Sequence, residues 1–101
     1  MINLAKAVER IEKRFPDERI IGCSETDKYY GFWLYPRSMK EFSRIRSNIV
    51  PCVDKITGNV VVVLGFDYNS FKKLDCSNYL SEEDAIIFRS IRDGKIKFSI
   101  I

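Results

Sequence analysis

The stretch from Asn48 to Phe66, NIVPCVDKITGNVVVVLGF, constrains the fold more than any other part of the chain. Apolar and β-branched residues flank Lys55-Ile56-Thr57-Gly58, which predicts two extended runs joined by a tight turn. An antiparallel hairpin in the middle of a small sheet follows. The second run, Asn59 to Phe66, is nearly continuous valine and leucine. A strand with no polar alternation is expected to be central and covered on both faces. Val60, Val62 and Leu64 are therefore expected beside Val53 and Phe32. On that reading Val62→Asp unfolds the domain, because a buried unpaired carboxylate costs on the order of several kcal/mol. Pro51, early in the first run, fits only an edge or a bulge.

The remaining elements follow from periodicity and caps. Leu4, Val8, Ile11 and Phe15 recur at helical spacing, so residues 3–15 read as an amphipathic helix, stopped by Pro16. Arg19 to Glu25 and Lys28 to Tyr35 read as strands, with a turn at Thr26-Asp27. The second strand carries Tyr30, Phe32 and Leu34 on one face and Tyr29, Trp33 and Tyr35 on the other. Ser38-Met39-Lys40-Glu41 fits a capping box. Residues 38–47 are thus either a short helix with a basic outer face or an irregular basic loop. Residues 67–80 read as a loop anchored by Phe71, Leu74 and Tyr79. Ser81 to Asp84 is a second capping box, opening a helix from Glu82 to Arg92 that Asp93-Gly94 closes. Ile96, Phe98 and Ile100 alternate in a final strand, Lys95 to Ile101. The chain is expected to be one domain, residues 1–101, of the α+β class. Its single, mostly antiparallel sheet has about five strands, with the N-terminal and C-terminal helices packed on it.

Composition narrows the chemistry. Histidine is absent, and the three cysteines, Cys23, Cys52 and Cys76, form no C-x-x-C pair. Zinc-ligand spacing is therefore missing, and no metal or other cofactor is expected. Cys23 and Cys52 fall in strands as small apolar residues, which fits a reducing, cytoplasmic setting. Nucleophilic cysteine needs a nearby histidine or a helix N-terminus, and neither is offered. Glu82, Glu83 and Asp84 form a helix first turn, where the helix dipole accounts for acids. Asp54 and Asp67 flank the hairpin strands and serve turns. No catalytic residues emerge, and an enzyme is not expected. No run approaches the length of a membrane span, and no secretory signal opens the chain. The net charge of +3 is unevenly placed: residues 28–73 hold eight basic and three acidic residues, whereas each flank is slightly acidic. The basic side chains are densest at Arg37, Lys40, Arg44 and Arg46, near Trp33 and Tyr35. They offer either a solvated face or a nucleic-acid surface.

The order of an amphipathic helix, an aromatic strand ending in proline (YYGFWLYP), an insert, and Val53-Asp54-Lys55-Ile56-Thr57-Gly58-Asn59-Val60 resembles a known family. It is similar to the small bacterial immunity proteins of polymorphic toxin and contact-dependent inhibition systems, with their W-x-x-x-P and V-D-K-x-T-G-x-V patterns. The likeness covers residues 3–66; Trp33 and Pro36 stand where the Trp and Pro of the first pattern fall, three residues apart, one short of its spacing. It implies a protein that occludes a cognate toxin, has no activity of its own, and uses the turn motif as scaffold. Immunity proteins against nucleases are often acidic, whereas this chain is slightly basic. That departure points to a partner other than a nuclease, or to binding outside its active site. Trp33, Tyr35, Arg37 and Arg44 are the expected partner-binding residues, since aromatic and arginine side chains dominate hot spots. The surface around Asp67, Asp75, Glu82 and Glu83 is the second choice. The alternative function is a small nucleic-acid-binding domain using the basic stretch 37–55. The sequence does not set the oligomeric state.

Overall fold

The computed structural model describes residues 1–38, 44–45, 49–64, 71–95 and 99–100, with backbone alone at 44, 45, 49, 64, 99 and 100. Helix α1 (Leu4–Arg14) starts where the Asn3 side chain accepts a hydrogen bond from the Lys6 amide, and it ends just before Pro16. Strands β1 (Glu18–Glu25) and β2 (Tyr29–Pro36) form a hairpin. Its turn is held by the Thr26 hydroxyl, which accepts from the Lys28 and Tyr29 amides. A two-residue strand, β3 (Arg44–Ile45), precedes β4 (Ile49–Asp54) and β5 (Val60–Leu64). Between β4 and β5 the Asp54 carboxylate accepts from the Ile56 and Thr57 amides at 2.8 and 3.0 Å. Gly58 closes the turn at φ +75°, a conformation that favours glycine. Then come β6 (Lys72–Leu74), a 3₁₀ turn at Ser77–Tyr79, α2 (Glu82–Arg92) and β7 (Ser99–Ile100).

Five strands form one antiparallel sheet in the order β5-β4-β2-β1-β6, with both helices packed on it. The central strand is therefore β2. The valine-rich β5, expected at the centre, is an edge strand, and Val62 is 60% exposed. Apolar character permits burial but does not choose a neighbour. Within the described residues β5 pairs with β4 alone, and Phe32 lies two strands away. Val60 does lie beside Val53 and packs on the main core. Pro51 sits inside the sheet, on β4, yet one residue beyond the last β2–β4 pair, Gly31 with Cys52. Its missing N–H thus falls where that ladder has ended.

The fifth strand is β6, from the segment read as a loop. Lys72-Lys73-Leu74 has no apolar alternation, and its extended form comes from pairing with Cys23 to Glu25 of β1. Phe71 and Leu74 are half-buried as expected, but Tyr79 is exposed. The final strand is present as Ser99–Ile100, pairing parallel with β3 apart from the main sheet. Ile96, Phe98, Phe66 and Asp67 lie outside the described residues. So does most of 38–47, including Lys40, Glu41 and Arg46.

One core unites both helices. Ala7, Val8 and Ile11 of α1 and Phe88 of α2 pack with Ile20, Cys23, Phe32, Val53 and Cys76. Ile21, the inserted residue of a bulge between Ile20 and Gly22, joins Tyr35, Trp33 and Ile91 in a second cluster. Phe71 covers Gly31: a Cβ added there would stand 2.9 Å from Ser24 Oγ, 3.2 Å from Val50 Cγ1 and 3.3 Å from Phe71 Cε1. Gly31→Ala is therefore expected to cost about 1–3 kcal/mol by overpacking. Phe32→Ala should cost about 3–5 kcal/mol through the cavity it leaves. Val62→Asp, on an exposed edge position, should cost only about 1 kcal/mol. Urea unfolding of the three variants checks this ranking, and a Val62→Asp chain as damaged as Phe32→Ala would contradict the strand order.

Candidate functional site

Among the described residues, a dense polar arrangement lies where β2 leaves the sheet and α2 begins. Ser81 caps α2 by accepting from the Asp84 amide, which frees the Asp84 carboxylate for other partners. Asp84 is only 1% exposed, and two arginines meet it there. Arg37 donates to both of its oxygens, at 2.9 and 2.7 Å, and Arg19 Nε donates at 2.9 Å. Arg19 also reaches Glu83 at 3.2 Å. Burial alone would push the Asp84 carboxyl up, but the hydrogen bonds and charges of Arg37 and Arg19 outweigh it and hold its pKa below the usual value. The same bond raises the pKa of Arg37. Glu12, at the far end of α1, is pushed up by burial and by repulsion from Asp84, with Arg37 pulling the other way.

Two of the four expected contact residues are thereby occupied within the fold. Arg37 is the bidentate partner of Asp84, and Tyr35 is 3% exposed in the second cluster. Trp33 is half-buried, lies over Gly22, and meets the Phe71 ring edge-on at 6.4 Å between centroids. The backbone of Arg44 is in β3, and its side chain lies outside the described residues. Of the second-choice acids, Glu82 and Glu83 are exposed, and Asp75 is bound by the Ser77 hydroxyl and by Arg92.

Sequence reasoning passed over Asp84 because a helix first turn explains any acid. The available signal was its spacing: Asp84, Phe88 and Ile91 follow i, i+4, i+7, so the acid lies on the apolar stripe of α2. Arg19, the one basic residue of β1, is its natural counterpart.

At the opposite end of β1 and β2, a shallow cleft of about 550 Å3 is lined by Glu25, Asp27, Lys28, Tyr29, Lys55 and Lys72, among others. Lys55 binds Glu25 at 2.9 Å and lies 4.9 Å above the Tyr30 ring. Mixed ammonium and carboxylate groups of this kind suit the charged rim of a protein contact. The cysteines are buried, and burial raises the Cys52 thiol to about 11. Cys23 is raised further, first by its hydrogen bond with Cys76 and then by burial. Neither favours a thiolate.

The fold defines a small α+β sheet domain. No family model, no curated protein and no solved structure matches it. No helix of the described residues is long and apolar enough to cross a membrane.

Removing the Asp84 charge should leave Arg19 buried beside only an exposed acid. Asp84→Asn is expected to cost about 3–5 kcal/mol at pH 7. Because the folded-state pKa of Asp84 is lowered, its contribution is present above about pH 3.9, the free aspartate value. It is lost as pH falls through the lower folded value, so the deficit of Asp84→Asn should shrink in acid. Glu12 has the opposite sign. Its raised pKa favours folding below about pH 4.3, the free glutamate value, and that contribution is lost as pH rises through the folded one. Glu12→Gln should therefore be more stable than the wild type at pH 7, with the gain gone near pH 4. Denaturant melts across pH 3–7 for both variants check the two signs.

Proposed function

We propose that this chain is an immunity protein that binds one bacterial toxin domain and neutralises it by occlusion, without chemical change. One observation supports this reading above the others. The V-D-K-x-T-G-x-V segment is built as scaffold, which is the role the resemblance gives it. Asp54 closes the turn through two backbone amides, and Gly58 takes the positive φ that favours glycine. The turn is then tied to the rest of the chain from three sides. The Ile2 amide donates to the Lys55 carbonyl at 2.8 Å, Arg10 reaches the Gly58 carbonyl at 3.4 Å, and the Lys55 ammonium binds Glu25. None of these groups is left over for catalysis.

In this reading Trp33 and Arg44 touch the toxin, while Tyr35, buried, and Arg37, partly exposed but bound to Asp84, keep that surface in shape. The protein acts inside the cell, before or as the toxin enters. The nucleic-acid alternative needs the basic stretch 37–55 to face solvent. Two of its charges, Arg37 and Lys55, are neutralised by Asp84 and Glu25, which weighs against it.

Affinity capture with the tagged chain from a lysate of its source cell, followed by mass spectrometry, tests the reading. A single tightly held protein is expected. Retention of RNA or DNA at physiological salt would overturn the proposal in favour of the alternative. Against the captured toxin, Trp33→Ala and Arg44→Ala should each weaken binding by at least about tenfold, as hot-spot truncations do. Circular dichroism should show both variants still folded at the assay temperature. Tyr35→Ala and Arg37→Ala should instead lower the melting temperature.

A further inference from the structure

The two edges of the sheet are built differently. The β6 edge is three residues long and carries exposed Lys72 and Lys73. Charge and shortness are the usual protection of an open edge against another strand. The β5 edge is five residues long, Val60-Val61-Val62-Val63-Leu64, and among the described residues only β4 pairs with it. No ionisable residue occurs from Ile56 to Phe66. Val62, at the middle of the strand, is 60% exposed, and Ile56 at the adjoining turn is 80% exposed.

From this contrast we infer that β5 is a homodimer interface, at which two copies of the chain pair their β5 strands antiparallel across a two-fold axis at Val62. The sequence is self-complementary in that arrangement. Val62 stands opposite Val62, Val61 opposite Val63, and Val60 opposite Leu64, so every cross-strand pair is branched aliphatic. A two-fold contact brings identical groups face to face. An edge with lysines, such as β6, would then repel its copy, whereas the uncharged β5 does not. Pairing would satisfy the outward backbone groups of β5 and join the two five-stranded sheets into one. It would also cover part of the exposed Val62 side chain.

The contact is small, so dimerisation is expected to be weak and concentration-dependent. Sedimentation velocity of the full chain from about 5 to about 500 μM tests it, a span that reaches the weak end of protein association. The expected result is a shift from the mass of one chain, 11.8 kDa, toward twice that value. Val62→Lys, which places like charges opposite each other at the axis, should raise the dissociation constant at least about tenfold. Val62→Ile should leave it unchanged. Backbone amides of β5 should exchange with deuterium more slowly at the high concentration than at the low one. A chain that stays at 11.8 kDa throughout overturns the inference. So does a dimer that Val62→Lys leaves intact, an open-ended polymer, or a dimer in which β5 exchange is unaltered. The wild-type measurement alone decides the matter should Val62→Lys fail to fold. This inference does not depend on the toxin reading, since it concerns the chain by itself.

Discussion

Asp84 is the interaction on which the arrangement of elements depends. A carboxylate almost wholly removed from water persists as an ion only with close, hydrogen-bonded cations. Arg19 supplies one from β1 and Arg37 supplies two more donors from just past β2. Asp84 therefore fastens the start of α2 to the open end of the β1–β2 hairpin. The same corner is tied by the Arg37 amide, which donates to the Asp17 carbonyl at 3.0 Å. With α2 fixed there, Phe88 enters the main core and Ile91 reaches Tyr35 and Ile21. The helix so connects two apolar clusters that the bulge at Ile21 separates. Hydrophobic packing would allow small slips of α2 along the sheet, whereas the three-residue ion cluster admits one position.

Local chemistry was readable in the sequence; long-range choice was not. The stops of both helices and the cap of α2 were legible because they are short-range events: Pro16 ends α1, Ser81 opens α2, and Asp93-Gly94 follows it. The Asp54–Gly58 turn was legible for the same reason. Strand order was not, because four consecutive valines state a preference for burial without naming a neighbour. β2 takes the centre since its two faces are matched: Phe32 meets the helices, and Gly31 leaves room for Phe71 on the other side. β6 escaped notice because its extended form is imposed by β1 rather than by its own residues. Of the expected site, Trp33 remains half-exposed, Tyr35 is buried, and Arg37, though exposed, is engaged by Asp84. An aromatic or an arginine near a strand end looks the same in sequence whether its partner is another molecule or an aspartate 47 residues away.

These assignments leave a division of labour. One end of the β1–β2 hairpin is locked by Asp84, and the other is held by Lys55, Glu25 and the α1 contacts of the Gly58 turn. A sheet tied at both ends is suited to presenting a preorganised surface, which lowers the ordering cost of binding a partner. Under the proposed function, that surface is what the toxin would meet.

The central claim is occlusion by a one-to-one complex. Titrating a fixed amount of the captured toxin with the purified chain, while following toxin activity, tests it most directly. The account predicts that activity falls linearly and reaches zero at one chain per toxin domain, and that intact toxin is recovered when the complex is dissociated in denaturant. Complete loss of activity at a small fraction of an equivalent, with toxin that does not recover, would contradict it and reveal an enzyme.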